Sequence, residues 1–160
     1  MSGKLDHAPA QIIQQLLIDL GLATDIASAA AWPVYYSDHP NQPDDSICVY
    51  NTDARLQGRS QVEGETQEFY GIQVRVRSAS VLNGYNKCQA IASAFDLQVL
   101  RTEVTMVTIP SASYLVQSVT RTSSVISLGV ENPTSRRRLY TLNAMVSIRM
   151  TEEETGTGTD

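Results

Sequence analysis

The side chains best suited to acid–base or metal chemistry are concentrated in one loop. Asp38, His39, Asp44 and Asp45 lie close together in a stretch interrupted by two prolines. An imidazole among carboxylates could hold a divalent cation or act as a general base. Aspartates are also common in loops because their side chains stabilise turns. We therefore expect no metal site and no enzymatic activity; a small enzyme that uses Asp38, His39 and Asp45 is the alternative.

Cofactor and redox motifs do not occur in the sequence. It has no Gly-x-Gly-x-x-Gly run and no phosphate-binding loop. The two cysteines, Cys48 and Cys88, lack the Cys-x-x-Cys spacing of zinc and redox sites. We expect buried free thiols, no disulfide and no cofactor.

Arginines are the remaining candidates for function. Arg75 and Arg77 alternate along one predicted strand near Tyr70, and positions 136–138 are three consecutive arginines. A basic face with an aromatic residue is typical of single-stranded nucleic-acid binding modules, so such a module is one alternative. The net charge of −5 weighs against it. The arginine run is expected to be either a solvated turn or a contact with an acidic partner surface.

Charge is distributed unevenly along the chain. Residues 1–54 carry seven acids against Lys4 alone, a net of −6, and residues 55–150 carry eleven bases against six acids, a net of +5. The last ten residues add four acids. An electrically polarised domain is suited to contacts between unlike surfaces of neighbouring copies.

Two periodicities meet in the stretch from residue 67 to residue 96. Its first part alternates between apolar and polar residues, which predicts a half-buried strand. Its second part has apolar residues at steps of three and four, which predicts one face of an α-helix. The strand residues expected in the core are Tyr70, Ile72, Val74 and Val76, and the helix residues are Val81, Tyr85, Cys88, Ile91, Ala92 and Phe95.

The remaining elements predict an α+β domain. A first helix begins at Pro9 and ends before Gly21, which is expected to be its left-handed cap. Several strands with hairpin-length connections follow, and a turn is expected at Leu128-Gly129. A mostly antiparallel sheet covered on one face by two helices accounts for this order.

The domain boundaries follow from composition. Residues 1–150 are expected to form one domain, with a projecting polar loop at about 51–66, and residues 151–160 a disordered acidic tail. With no signal peptide or membrane-spanning run, we expect a soluble protein of a reducing cytoplasm.

Several segments, taken in order, resemble the minor capsid and tail-terminator (tail-completion) proteins of long-tailed bacteriophages. The resemblance covers roughly residues 9–150, and the order of the segments carries it. They are Ile-Ile-x-x-Leu-Leu-x-x-Leu-Gly-Leu at 12–22, Pro-Asp-Asp-Ser-Ile-Cys-Val-Tyr at 43–50, Gln-Val-Arg-Val-Arg at 73–77, a helix with Tyr85, Lys87, Ala90 and Ile91, Leu128-Gly129, and Tyr-Thr-Leu-Asn-Ala-Met-Val at 140–146. The turn at 131–134 and the loop at 51–66 differ from the forms common in the family.

The resemblance implies a structural virion protein that acts by binding. A homo-hexameric ring would cap the end of the tail tube, stop polymerisation and offer the surface for head–tail joining. Its partners would be the tube protein and a head-completion or connector protein, with no membrane and with DNA only passing through the lumen. The virion tail or neck would be its location, after assembly in the host cytoplasm. A head-completion or connector adaptor of the neck is the alternative.

Charged residues of the polar loop, the central strand and the arginine run are the candidate subunit or tube interface. We expect reversal of Arg75 and Arg77 to glutamate to spare the fold and to damage assembly. The candidate residues are Arg55, Arg59, Glu63, Glu65, Arg75, Arg77, Arg136, Arg137 and Arg138.

Overall fold

The computed structural model describes residues 5–28, 30–52, 55–59, 66–100, 105–131, 134 and 136–150. Within these ranges the chain is a mixed α+β structure with two α-helices, one short 3-10 helix and eight strands. The helices are α1 (Pro9–Asp19) and α2 (Val81–Leu100), and the 3-10 helix is Ile26–Ser28. The strands are β1 (Val34–Tyr36), β2 (Ser46–Asn51), β3 (Arg55–Arg59), β4 (Thr66–Ser78), β5 (Thr105–Ile109), β6 (Ala112–Arg121), β7 (Ile126–Val130) and β8 (Arg138–Met150).

Helix α1 begins and ends where the sequence predicts. Pro9 occupies the start, where its missing N–H costs nothing. Gly21 has a φ of 76°, its N–H donates to Ile18 O, and the N–H of Leu22 donates to Leu17 O. These two hydrogen bonds define a Schellman cap, and a glycine adopts the required left-handed conformation without strain. The predicted capping role of Gly21 is confirmed.

The strands form one sheet in the order β1-β2-β4-β8-β6-β5. All neighbours are antiparallel except β1, which runs parallel to β2 at the edge. The two long strands, β4 and β8, pair from Phe69–Ser147 to Ser78–Arg138. Two further strands lie off this path: β3 pairs with the start of β4, and β7 pairs with the start of β8. Because α1 contacts both β1 and β5, at opposite ends of the strand order, the sheet must be strongly curled.

The core lies between the two helices and one face of this sheet. Ile12, Ile13, Leu16 and Leu17 of α1 are fully buried in it. The predicted core residues Ile72, Val74 and Val76 of β4 belong to it, as do Cys88, Ile91, Ala92 and Phe95 of α2. Both cysteines are buried and free, as expected.

The start of α2 differs from the prediction. Val81 and Tyr85 are 51% and 43% exposed, so their assignment to the core is wrong. The buried position on this turn is Gly84, where a Cβ atom would lie 2.9 Å from Cε2 of Tyr140. The buried stripe therefore begins at Gly84 and continues through Cys88 to Phe95. Glycine carries no side chain, so hydropathy periodicity does not register it.

Two connections also differ from the prediction. Residues 55–59 form a strand on β4, within the stretch predicted as a loop, and residues 53–54 and 60–65 lie outside the described ranges. Leu128-Gly129 is an irregular part of strand β7 and not a turn. The predicted tail, 151–160, is likewise outside the described residues. Neither described α-helix is both long and apolar enough to cross a membrane.

Candidate functional site

The outer face of the sheet, opposite the helices, carries the alternating polar residues of β4. Arg77 is on this face, but it is 1% exposed. Its Nη2 donates to Pro43 O at 2.7 Å and its Nε donates to Asp44 O at 3.4 Å. Its Nη1 lies 3.6 Å from Oε1 of Glu131. The loop that contains Pro43 and Asp44 therefore covers Arg77, and burial, with the nearby Arg137 charge, lowers its pKa.

Arg137 belongs to the same network. It is 8% exposed, and its Nη2 lies 2.5 Å from Oε2 of Glu131 and 2.8 Å from Oδ1 of Asn41. Its Nη1 donates to Asn41 O and lies 3.5 Å from Oδ1 of Asp44. Glu131 thus lies between two buried guanidinium groups, and together they fasten loop 37–45 and the segment before β8 onto the sheet.

Burial corrects the predicted role of two arginines. Arg77 and Arg137 were predicted as interface residues, but their guanidinium groups are buried and make hydrogen bonds and ion pairs inside the chain. Buried charges persist when paired and hydrogen-bonded, and removing one partner is costly. Because of this burial, we now expect reversal of Arg77 to destabilise the fold, contrary to the expectation from the sequence.

The other predicted interface residues are spread over the chain. Arg136 is exposed and Arg138 is half-buried at the start of β8. Arg55 and Arg59 lie on β3, where only the backbone is described, and Glu63 and Glu65 lie outside the described residues. Those of these residues that the structure describes therefore form no single cluster. Arg75 is the one that lies at the middle of the outer face.

Arg75 has an unusual environment for a charged group. Its side chain is half-buried, with Cζ 5.0 Å from the centroid of the Tyr50 ring. Its Nη2 lies 3.5 Å from Oε1 of Gln73, at the limit of a hydrogen bond, and its Nε is buried without a partner. Within the described part of the chain no carboxylate pairs with it. Among the described residues, Arg75 is therefore a positive charge that lies against an aromatic ring and forms no salt bridge.

In loop 37–45, the side chains of His39 and Asp45 make hydrogen bonds within the folded chain. His39 Nε2 lies 2.6 Å from Oγ of Ser46, and Ser46 is fully buried, so no substrate reaches that hydroxyl. Asp45 accepts hydrogen bonds from Ser78 Oγ at 2.7 Å and from Ala79 N at 3.3 Å, just before α2. Asp38, His39 and Asp45 thus form no nucleophile–base–orienter set. No group of three His, Cys, Asp or Glu residues among the described residues has metal-binding geometry.

The residues proposed for a nucleic-acid platform are on different faces. Tyr70 pairs with Val146 on the helix-covered face, whereas Arg75 pairs with Thr141 on the outer face. Arg77 is buried. Stacking and charge contacts from these three residues cannot meet on one strand of nucleic acid, so the described geometry does not assemble this platform.

A second surface was not predicted from the sequence. It consists of large apolar side chains on the first turns of α2 and on β7, with exposures between 39% and 67%. Tyr140 contacts both elements: its hydroxyl donates to Val81 O at 3.3 Å, its ring contacts Tyr85 edge-on at 6.0 Å, and its backbone pairs with Ser127. Ile126 pairs with Thr141 and therefore lies on the outer face of the sheet. Among the described strands, β7 has β8 as its one neighbour. We call these residues the apolar surface: Val81, Leu82, Tyr85, Ile126, Leu128 and Val130.

Part of the signal for the apolar surface is in the sequence. Ile126, Leu128 and Val130 alternate with Ser127 and Gly129, a strand pattern that was interpreted as the approach to a turn.

Comparison with known proteins adds little to this geometry. No family model matches the chain, and no curated protein matches it. Among 21 solved chains that match, one aligns with 91% of this chain and 100% of its own length, at 14% sequence identity and a TM-score of 0.43. A likeness this low carries no conclusion about function.

Proposed function

We propose that the chain is a structural protein of a long-tailed bacteriophage. As a homo-oligomeric ring it caps the end of the tail tube, stops tube polymerisation and provides the surface for head–tail joining. It acts by binding, without breaking a bond. The support from sequence is the order of the segments that resemble the tail-terminator proteins. In the fold these segments lie on α1, β2, β4, α2, β7 and β8.

The observation that carries the proposal is the apolar surface. Val81, Leu82 and Tyr85 expose large apolar side chains within the first turns of α2, and exposed apolar side chains grouped in this way are typical of protein–protein contacts. Strand β7 is also an edge strand among the described strands, and its free backbone groups can pair with another chain. A protein that assembles onto its own copies and onto a tube needs surfaces of this kind.

The polarity of the chain supports a ring. A head-to-tail interface joins two different surfaces, and it closes into a ring when the rotation between subunits closes. The excess of acids before residue 55 and of bases after it favours contacts between unlike surfaces. Such a particle is located in the virion tail or neck, with DNA passing through the lumen.

End-capping of tail tubes tests the proposal. Purified protein is added to tail tubes of the same phage, and electron microscopy counts capped ends while light scattering gives the mass of the free protein. We expect discs on one end of each tube and an arrest of tube growth. Binding to the portal side of heads without binding to tubes would instead assign the neck-adaptor role. Binding to neither would contradict the proposal.

A further inference from the structure

We propose that Arg75 is the docking site for Asp19 of a second copy of this chain. This inference rests on the ring proposed above and names the groups that join its subunits. The guanidinium of Arg75, supported by the Tyr50 ring, receives the carboxylate at the end of a neighbour's α1. Each copy gives Arg75 to one neighbour and Asp19 to the other.

The state of Arg75 in the single chain is the first argument. A half-buried charge loses hydration and is normally compensated by a counter-charge. Here Nε is buried without a partner, the contact with Gln73 is long, and no carboxylate among the described residues pairs with the group. A planar guanidinium matches the two oxygens of a carboxylate.

The state of Asp19 is an independent argument. Asp19 is the last residue of α1 and is exposed, and the last turn of the helix contains no basic residue. A carboxylate at the helix C-terminus is disfavoured by the negative end of the helix dipole. Its described contact is a hydrogen bond of 2.9 Å from Gln15 Nε2, a neutral group. A cation from another chain would relieve this repulsion.

The positions of the two groups require two molecules. Helix α1 packs on the inner face of the sheet, whereas Arg75 is on the outer face of β4. The sheet therefore separates the two side chains within one copy. Contact between them joins opposite sides of successive copies, which is the head-to-tail arrangement of a ring.

The surroundings of Arg75 favour a protein carboxylate over a DNA phosphate. Gln73 and its cross-strand partner Asn143 are neutral amides, and Arg77 nearby is buried. Binding to a nucleic-acid backbone depends on several cations that displace counterions, and at the middle of the outer face Arg75 is the one described cation that is not fully buried. One carboxylate satisfies one arginine.

Charge reversal and mixing test the pair. Arg75→Glu and Asp19→Lys are made separately, together, and as an equimolar mixture of the two single variants; sedimentation velocity and capped tube ends are the readouts. Each single variant is expected to weaken self-association at least tenfold. The double variant and the mixture are expected to recover it, because both place unlike charges at every interface. Ser93→Glu, on an exposed position of α2, is the control and should assemble as the wild type does.

The outcomes separate this inference from the proposed function. A wild-type protein that assembles, with an Arg75→Glu variant that assembles equally well, would overturn the pairing and leave the ring intact. Single variants that fail without recovery in the mixture would also overturn it. A wild type that neither self-associates nor caps tubes would overturn both. Loss of duplex-DNA binding by Arg75→Glu with unchanged assembly would assign the arginine to phosphate and reject Asp19.

Discussion

Arg75 and Arg77 lie two residues apart on the same face of β4, yet their environments are opposite. Arg77 is held by two carbonyl groups and by Glu131, whereas Arg75 has an aromatic ring and no counter-charge among the described residues. The difference arises from loop 37–45, whose carbonyl groups at Pro43 and Asp44 accept hydrogen bonds from Arg77, whereas no hydrogen bond from this loop to Arg75 is seen among the described residues. At the scale of single residues, the fold thus assigns one arginine to stability and leaves the other accessible to a partner.

Replacement of these two arginines by methionine should separate their roles. Arg77→Met removes a buried ion pair and leaves Pro43 O and Glu131 with fewer partners, so we expect a loss of about 3 kcal/mol in the free energy of unfolding. Arg75→Met should cost less than about 1 kcal/mol, since no ion pair is broken. Urea denaturation measures both. Equal losses for the two variants would contradict the assignment.

His39 should make stability depend on pH. Its burial, and then the charges of Arg77, Arg75 and Arg137, lower its pKa from 6.5 to about 4. In the unfolded chain His39 binds a proton near pH 6.5, whereas in the folded chain it resists protonation until about pH 4. The free energy of unfolding should therefore fall as the pH decreases from 6.5 towards 4. Urea midpoints at pH 7 and pH 5 check this, and a His39→Gln variant with the same decline would contradict it.

The sequence predicts which residues alternate and fails to predict which of them are covered. Tyr70 to Arg77 form a strand because their period of two is local. The covering of Arg77 depends on Pro43, Asp44 and Glu131, which are distant in sequence from Arg77 and reach it only when the sheet has formed. No local pattern reports a pairing of that kind.

At the scale of elements, the position of α2 depends on Gly84, which has no side chain. Gly84 lets the helix approach the ring of Tyr140, and this sets where the buried stripe begins. The adjacent apolar side chains, Val81 and Leu82, are consequently turned away from the core. The presence and length of α2 were predictable from hydropathy periodicity. The orientation of its first turn was not, because Gly84 has no side chain and does not contribute to the hydropathy pattern.

Gly84→Ala should destabilise the protein although alanine is the better helix former. The added Cβ would lie 2.9 Å from Tyr140 Cε2 and 3.0 Å from Ser78 Cβ, so the ring or the helix must move. We expect a net loss of about 1–3 kcal/mol against an intrinsic gain of about 1 kcal/mol. Thermal and urea unfolding measure it. The reference variant is Ala90→Gly at an exposed site of the same helix, which should show the ordinary propensity cost; a stabilised Gly84→Ala would refute the close approach.

At the scale of the whole molecule, the chain presents exposed apolar side chains on α2 and β7 and a half-buried arginine, Arg75, on a polarised body. The fold class was predictable because two clean periodicities and the order of elements define an α+β domain. The exposed surfaces were less predictable. Strand β7 is an edge strand because, among the described strands, only β8 pairs with it, and the local sequence does not show which strands will pair.

Leu82→Lys should leave folding unchanged and reduce assembly. Leu82 is 67% exposed, so its replacement should change the free energy of unfolding by less than about 0.5 kcal/mol. A charge within the apolar surface should nevertheless lower the fraction of capped tubes and the self-association seen by light scattering. Ser93→Lys, elsewhere on α2, adds the same charge and should assemble normally. Unaltered capping by Leu82→Lys would remove the apolar surface from the interface.

The position of β8 has a consequence for how the protein is made. This strand pairs with β4, β6 and β7, and all three precede it in the chain. During translation, β4 and β6 therefore leave the ribosome before β8, the strand that lies between them. The Phe69–Ser147 pair joins residues that are far apart in the chain. Sheets built from such distant pairings fold slowly, and their apolar strands are open to aggregation meanwhile. Folding of the sheet must therefore wait for residues 138–150.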